Sequence, residues 1–243
     1  MKSTRTGPEQ HAPGHMPASG TPDSLGSGRV LIVGGPDGAG KTTICARLIS
    51  EVLDGDRVLH IRFPRLLPRR NREKARTRRL GAGVAPDASS PRVYPRAYMR
   101  GLTSVKALYL YADFLLGWAV RVAPHVRRGG SVVFERGWWD HAVDPRRYRL
   151  RSGRPFQVLG RLIPRADLVL VLEADPEVIR ARKPQLSSAE LTRQMAVWHR
   201  ILPSDQRAVF LDAASPADVL VEQIREQLRA LEPASSRATH QAE

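Results

Sequence analysis

Residues 34–43, GGPDGAGKTT, hold the densest chemistry in the chain. Positions 35–42 fit the pattern GxxxxGK[ST] in full, with the apolar run RVLIVG before them and the helix-periodic ICARLISEVL after them. Glycines at 35, 38 and 40 let the backbone turn so that successive N–H groups, Ala39 among them, point inward at a polyphosphate. The start of the following helix adds its positive dipole end. Lys41 is spaced to reach β- and γ-phosphates, and the Thr42 hydroxyl to enter a Mg²⁺ shell, so the pattern implies ATP and Mg²⁺. Asp37 does not fit a phosphate-binding task, because a carboxylate facing a triphosphate is repelled. It is expected to face a second substrate, accepting from a hydroxyl or pairing with an arginine; as a turn former it would need no ligand.

Other charged positions extend this chemistry. Glu135 ends the apolar stretch SVVFE, where it could hold a Mg²⁺ water or be a paired strand-end carboxylate. Arg136 beside it is suited to bridge an acceptor phosphate and the transferred one. The string RARK brings Arg180, Arg182 and Lys183 to the start of a short lid, KPQLSSAELTRQ, where Arg180 and Lys183 share a helix face and Arg182 does not. A clamp on transition-state charge is expected from Arg180 and Arg182, with a solvated helix end as the alternative.

These residues need a scaffold. Apolar runs at 29–34, 57–63, 131–135, 167–173 and 207–211 alternate with helix-like segments, which predicts a three-layer α/β sandwich: a mostly parallel five-stranded sheet with helices on both faces. A length of 243 residues suits one such domain, placed at 29–231. Residues 1–28 and 232–243 are rich in Pro, Gly, Ser and polar residues and are expected to be disordered tails. One cysteine, Cys45, forms no internal disulfide, and no apolar stretch reaches membrane-spanning length, so a cytoplasmic protein with no membrane partner is expected. His141 has no partner at metal-ligand spacing, and no zinc is expected.

With these residues in view, GPDGAGKTT resembles the phosphate loop of thymidylate kinases, which carries an acid at the place of Asp37 and a second Thr or Ser at the place of Thr43. HIRFPR at 60–65, SVVFERGWWD at 131–140, IPRADLVLVLEADPEVIRARK at 163–183 and FLDAASPADVL at 210–220 resemble further segments in the family's order. The resemblance covers roughly residues 29–230. It implies that Arg65 holds the acceptor's phosphate, that Asp37 hydrogen-bonds the acceptor's sugar hydroxyl, that Arg136 and Arg182 occupy the family's arginine positions, and that Glu135 stands where the family has an aspartate. It also implies a small-molecule nucleotide acceptor and a homodimer through helices flanking the acceptor site, to which the apolar ALYLYADFLLGWAV could contribute.

Charge bears on the acceptor. An alcohol needs a general base, whereas an acceptor phosphate is already ionised and needs only positioning. HIRFPRLLPRRNR has five arginines before its first following acid, Glu73, and nothing placed as a base. A phosphate acceptor is therefore favoured over the alcohol of a deoxynucleoside kinase, whose Glu-Arg motif FERGWW also resembles; that the acceptor is a nucleoside monophosphate, dTMP first, is what the resemblance to thymidylate kinases implies. From His60 to Lys106, thirteen Lys or Arg stand against two acids, +11 of the net +15. Such a run suits a solvated segment or, as a less favoured reading, a nucleotide-gated module binding nucleic acid. The helix over 104–122 offers Tyr109, Tyr111 and Phe114 for base stacking or for core packing. Residues 137–155 alternate charge at Asp140, His141, Asp144, Arg146 and Arg147, as a loop over the acceptor site or a salt-bridged surface loop.

Overall fold

The computed structural model describes residues 28–53, 57–62, 92, 100–202 and 207–231. Arg65, the two tails and most of the basic run lie outside these. Five strands, β1 (Val30–Gly34), β2 (Val58–Ile61), β3 (Ser131–Glu135), β4 (Leu168–Glu173) and β5 (Ala208–Asp212), form one sheet in the order β2-β3-β1-β4-β5. Every pairing is parallel, with Val33 opposite Glu135 and Leu170 at the β1 edges. Parallel strands need both faces covered, which is why β1, β3 and β4 read as continuous apolar runs rather than alternating ones.

The pleat sends neighbouring residues to opposite layers. Leu31, Val33, Leu168, Leu170 and Leu172 pack against Ile44, Cys45 and Leu48 of helix α1 (Lys41–Glu51) and against Leu220, Ile224 and Leu228 of the last helix among the described residues, Ala217–Arg229. Val30, Ile32, Val132, Phe134, Val169 and Val171 face the other layer, which contains Phe114, Trp138, Phe156 and Trp198. Phe114 belongs to helix α2 (Arg100–Gly117), which continues through a π-helical turn, Trp118–Val122, into helix α3, Ala123–Arg127.

The alternatives left open for two segments are narrowed here. Of the three aromatics on α2, Phe114 is buried against Trp118 and Trp138, whereas Tyr109 faces solvent, because the helix turns them to different sides. Residues 137–155, read as a loop over the acceptor site or a salt-bridged surface loop, are largely helical, with Arg146, Arg149 and Arg151 exposed. They hold helix α4 (Asp140–Val143), a 3₁₀ turn (Pro145–Tyr148) and the start of helix α5 (Arg154–Gly160). Trp138, Trp139, Asp140, His141 and Asp144 are all buried. The chain can bury these charges because each carboxylate has a partner: Asp140 accepts from the Gly137 amide at 2.9 Å, and Asp144 from the Arg147 amide at 3.2 Å.

After β4, helix α6 (Pro176–Arg182) is joined to helix α7 (Ser188–Ile201) by residues 183–187 alone. Trp198 of α7 lies directly under Gly34, where an added Cβ would fall 2.7 Å from its ring. Sheet order departs from chain order around β1, so the carboxyl ends of β1 and β3 open onto one crevice, the usual place for a ligand in such sheets.

Candidate functional site

The loop leaving β1 is shaped by close contact with β4. Gly35 has φ 125°, and a Cβ there would meet the Leu172 carbonyl oxygen at 2.3 Å, so only glycine fits. Gly38, at φ 98°, faces Ile179 and the Lys183 Cβ; Lys183 is thus the residue of that helix end packed on the loop. Gly40 caps α1 in the left-handed region, makes no side-chain cap bond, and is followed by Lys41, Thr42 and Thr43 with no acid in the first turn. No side chain of the cap therefore competes for the first helical amides, the groups that bind anions.

Lys41 is buried and folds back across the loop, where its Nζ donates to the carbonyls of Gly35 (2.8 Å) and Pro36 and lies 3.9 Å from Asp37 Oδ1. Burial, aided by nearby Arg136 and opposed by Asp37 and Asp140, brings its pKa down to about 8. Thr42 Oγ1 donates to Glu135 Oε1 at 2.7 Å. The other carboxylate oxygen, Glu135 Oε2, is buried without a hydrogen bond among the described residues; Arg62 Nε lies 3.5 Å and His60 Nε2 3.8 Å away. Burial opposes the charge on Glu135, yet the Thr42 hydroxyl, Arg62 and His60 together hold its pKa below the usual carboxylate value. Thr42 and Glu135, far apart in sequence, thus meet at the carboxyl ends of β1 and β3, with a buried carboxylate oxygen that accepts no hydrogen bond among the described residues and suits a Mg²⁺ shell.

On the other side of Asp37 stands a group of arginines. Arg136 adopts φ 78° directly after β3, an uncommon conformation for a residue with a side chain, while its amide donates to Val33 O at 3.0 Å. Its Nη2 donates to Asp37 Oδ1, and its Nη1 lies 3.6 Å from Asp140 Oδ1. Arg147, from the 3₁₀ turn, donates to Asp37 Oδ2 at 2.6 Å. Arg92 donates to that same oxygen, to Asp144 Oδ2 at 3.3 Å and to Gln185 Oε1 at 3.4 Å, and its amide donates to Gln185 O at 3.0 Å. Burial would raise the Asp37 pKa, but Arg136, Arg147 and Lys41 outweigh it and hold the carboxyl far below its ordinary range. Asp140 is the opposite case: burial wins over Arg136 and Lys41, and its pKa rises.

Of the roles open to Asp37, the structure shows arginine pairing. Arg92 and Arg147 are the partners that sequence reasoning did not assign to the site. Arg147 stood in a charge pattern that reads equally as a salt-bridged surface, and Arg92 in a basic run without a distinguishing neighbour. Arg180 and Arg182 diverge. Arg182 Nη1 donates to Ala213 O at 2.8 Å, in the turn after β5, and Arg180 contacts Glu177 and Ser188. Neither has a described contact with Lys41 or Asp37.

No protein-family model matches the sequence, and no curated protein matches it. Solved structures do. A thymidylate kinase from Candida albicans superposes with a TM-score of 0.53 at 15% identity, covering 84% of this chain and 92% of that one. A thymidylate kinase from Ehrlichia chaffeensis does so at 0.49 and 14%, covering 83% and 99%. The chain therefore has a thymidylate kinase-like α/β fold.

Proposed function

We propose that this protein transfers the γ-phosphoryl group of Mg·ATP to a nucleoside monophosphate, with dTMP as the first acceptor to test. The observation that carries the reading is the arrangement around Asp37, whose Oδ1 lies near Lys41 and accepts from Arg136, with the paired Thr42 and Glu135 next to these in the chain. The loop amides and Lys41 would hold the donor's phosphates. Thr42 and Glu135 fit Mg²⁺, since a hydroxyl and a buried carboxylate oxygen without a hydrogen bond are the donors that ion prefers. When bound, the ion offsets charge between β- and γ-phosphates. Arg136 would align the acceptor phosphate for in-line attack, and positioned positive charge is most of what this reaction asks of a protein. An ionised acceptor phosphate needs no general base.

Coupled ADP release with Mg·ATP against dTMP, dUMP, CMP, UMP, thymidine, a sugar phosphate and no acceptor tests the reading. Release dependent on both a monophosphate and Lys41 is expected. Turnover with thymidine alone would move the assignment to a nucleoside kinase, and ATP binding without acceptor-stimulated release would overturn phosphoryl transfer to a small acceptor.

A further inference from the structure

We infer that the acceptor's phosphate is seated where Arg92, Arg136 and Arg147 converge, and that Asp37 is an internal anion holding these guanidinium groups in register until that phosphate displaces it. The inference rests on the phosphoryl-transfer reading for the identity of its ligand, and it assigns Arg92 and Arg147 as acceptor-binding residues.

Three observations support it. First, both oxygens of Asp37 are already occupied, Oδ1 by Arg136 and Oδ2 by Arg92 and Arg147, so in this state Asp37 has little capacity left for a hydroxyl. Second, among the described residues four cationic groups, Lys41 and the three arginines, gather around three carboxylates, Asp37, Asp140 and Asp144. Guanidinium groups are fork-shaped donors, and three of them around one carboxylate have more N–H groups than it can accept, whereas a phosphate offers three oxygens. Third, the layering is right for exchange. The Asp37 side chain is 5% exposed behind arginines that are 16%, 21% and 34% exposed, so an anion entering the cleft meets the guanidinium groups first.

Displacement has a further consequence. Once the arginines turn to the phosphate, the Asp37 oxygens become available to a hydroxyl of the same acceptor, so phosphate and hydroxyl recognition are coupled through one carboxylate. Arg92 also reaches Gln185 in the short connection between α6 and α7, so the phosphate seat touches the segment that follows Lys183.

Calorimetric titration of inorganic phosphate into the full-length protein, first saturated with Mg·AMP-PNP so that the loop 35–42 is filled, tests the seat apart from turnover. One saturable phosphate site is expected. Arg147→Gln and Arg92→Gln should each weaken it by about tenfold or more, the scale of a lost charge-assisted hydrogen bond, with AMP-PNP affinity unchanged. Asp37→Asn should tighten it, because the competing anion is removed, provided circular dichroism shows a folded protein. No saturable phosphate binding by wild type, or unchanged affinity in Arg147→Gln, overturns the seat. Weaker phosphate binding by a folded Asp37→Asn overturns the displacement. Should wild type fail to bind Mg·AMP-PNP, the kinase reading falls, and the same titration on nucleotide-free protein still decides the arginine seat.

Discussion

The two sides of the cleft around Asp37 prepare for negative charge by different means. The loop 35–41 does so with backbone: glycines in left-handed conformations, helix-start amides without a side-chain cap, and one lysine. The opposite side does so with side chains, guanidinium groups brought from positions 92, 136 and 147 and held by Asp37, Asp140 and Asp144. A backbone site is fixed by local geometry and is broken by adding a Cβ. A side-chain site is fixed by partners across the fold and is broken by changing charge or fork geometry. On the proposed function, the first would suit a constant triphosphate, and the second could be retuned to a particular acceptor.

That contrast can be tested from its strongest point downward. Lys41→Ala is expected to lower turnover by roughly 10²–10³-fold, the scale of removing one pre-set donor from a transition state, and a stopped coupled assay with retained folding would check it. Gly35→Ala should damage the donor side through backbone alone: a Cβ 2.3 Å from Leu172 O, at φ 125°, must push the loop off β4. A loss of about 3 kcal/mol, roughly 6–12 °C in Tm by scanning calorimetry, is expected together with weaker Mg·ATP binding. Unchanged affinity in that variant would break the distinction between the two sides.

Arg136→Lys keeps the charge and removes the fork. It is expected to raise the acceptor's KM by about tenfold while the KM for Mg·ATP stays within about twofold, as initial-rate kinetics in both substrates would show. Equal effects on both would mean that the sides are not separable.

The smallest effect is one of pH. Lys41 has a pKa of about 8 in the free folded protein against an ordinary 10.5, and a bound phosphate favours its protonated form. Mg·ATP affinity should therefore be flat on this account below about 8 and fall by up to tenfold per pH unit above it, a dependence that Lys41→Ala removes. For stability the sign is the reverse. Between about 8 and 10.5 the unfolded chain binds more protons at this lysine than the folded one, so its contribution rises with pH across that window.

Local sequence carried much of this protein. Eight consecutive residues specify the loop, because its requirements are a positive φ here, an amide there and a lysine at the start of a helix, all within reach of their neighbours. Five apolar runs marked the five strands, since a sheet covered on both faces demands continuous apolar stretches. Tertiary structure alone decided the arginine side. Asp37 lies 55, 99 and 110 positions from Arg92, Arg136 and Arg147; Arg136 stood out at the end of an apolar strand, but no local signal paired it with Asp37, and none set Arg92 apart from the other arginines of its basic run. Asp140 and Asp144 followed the same rule. A run of alternating charge reads equally as a surface or as a loop over a site until the fold closes it: the partners of Asp140 and Asp144 are near in sequence, Arg136, Gly137 and Arg147, joined by the distant Arg92, but only the tertiary structure turns them inward.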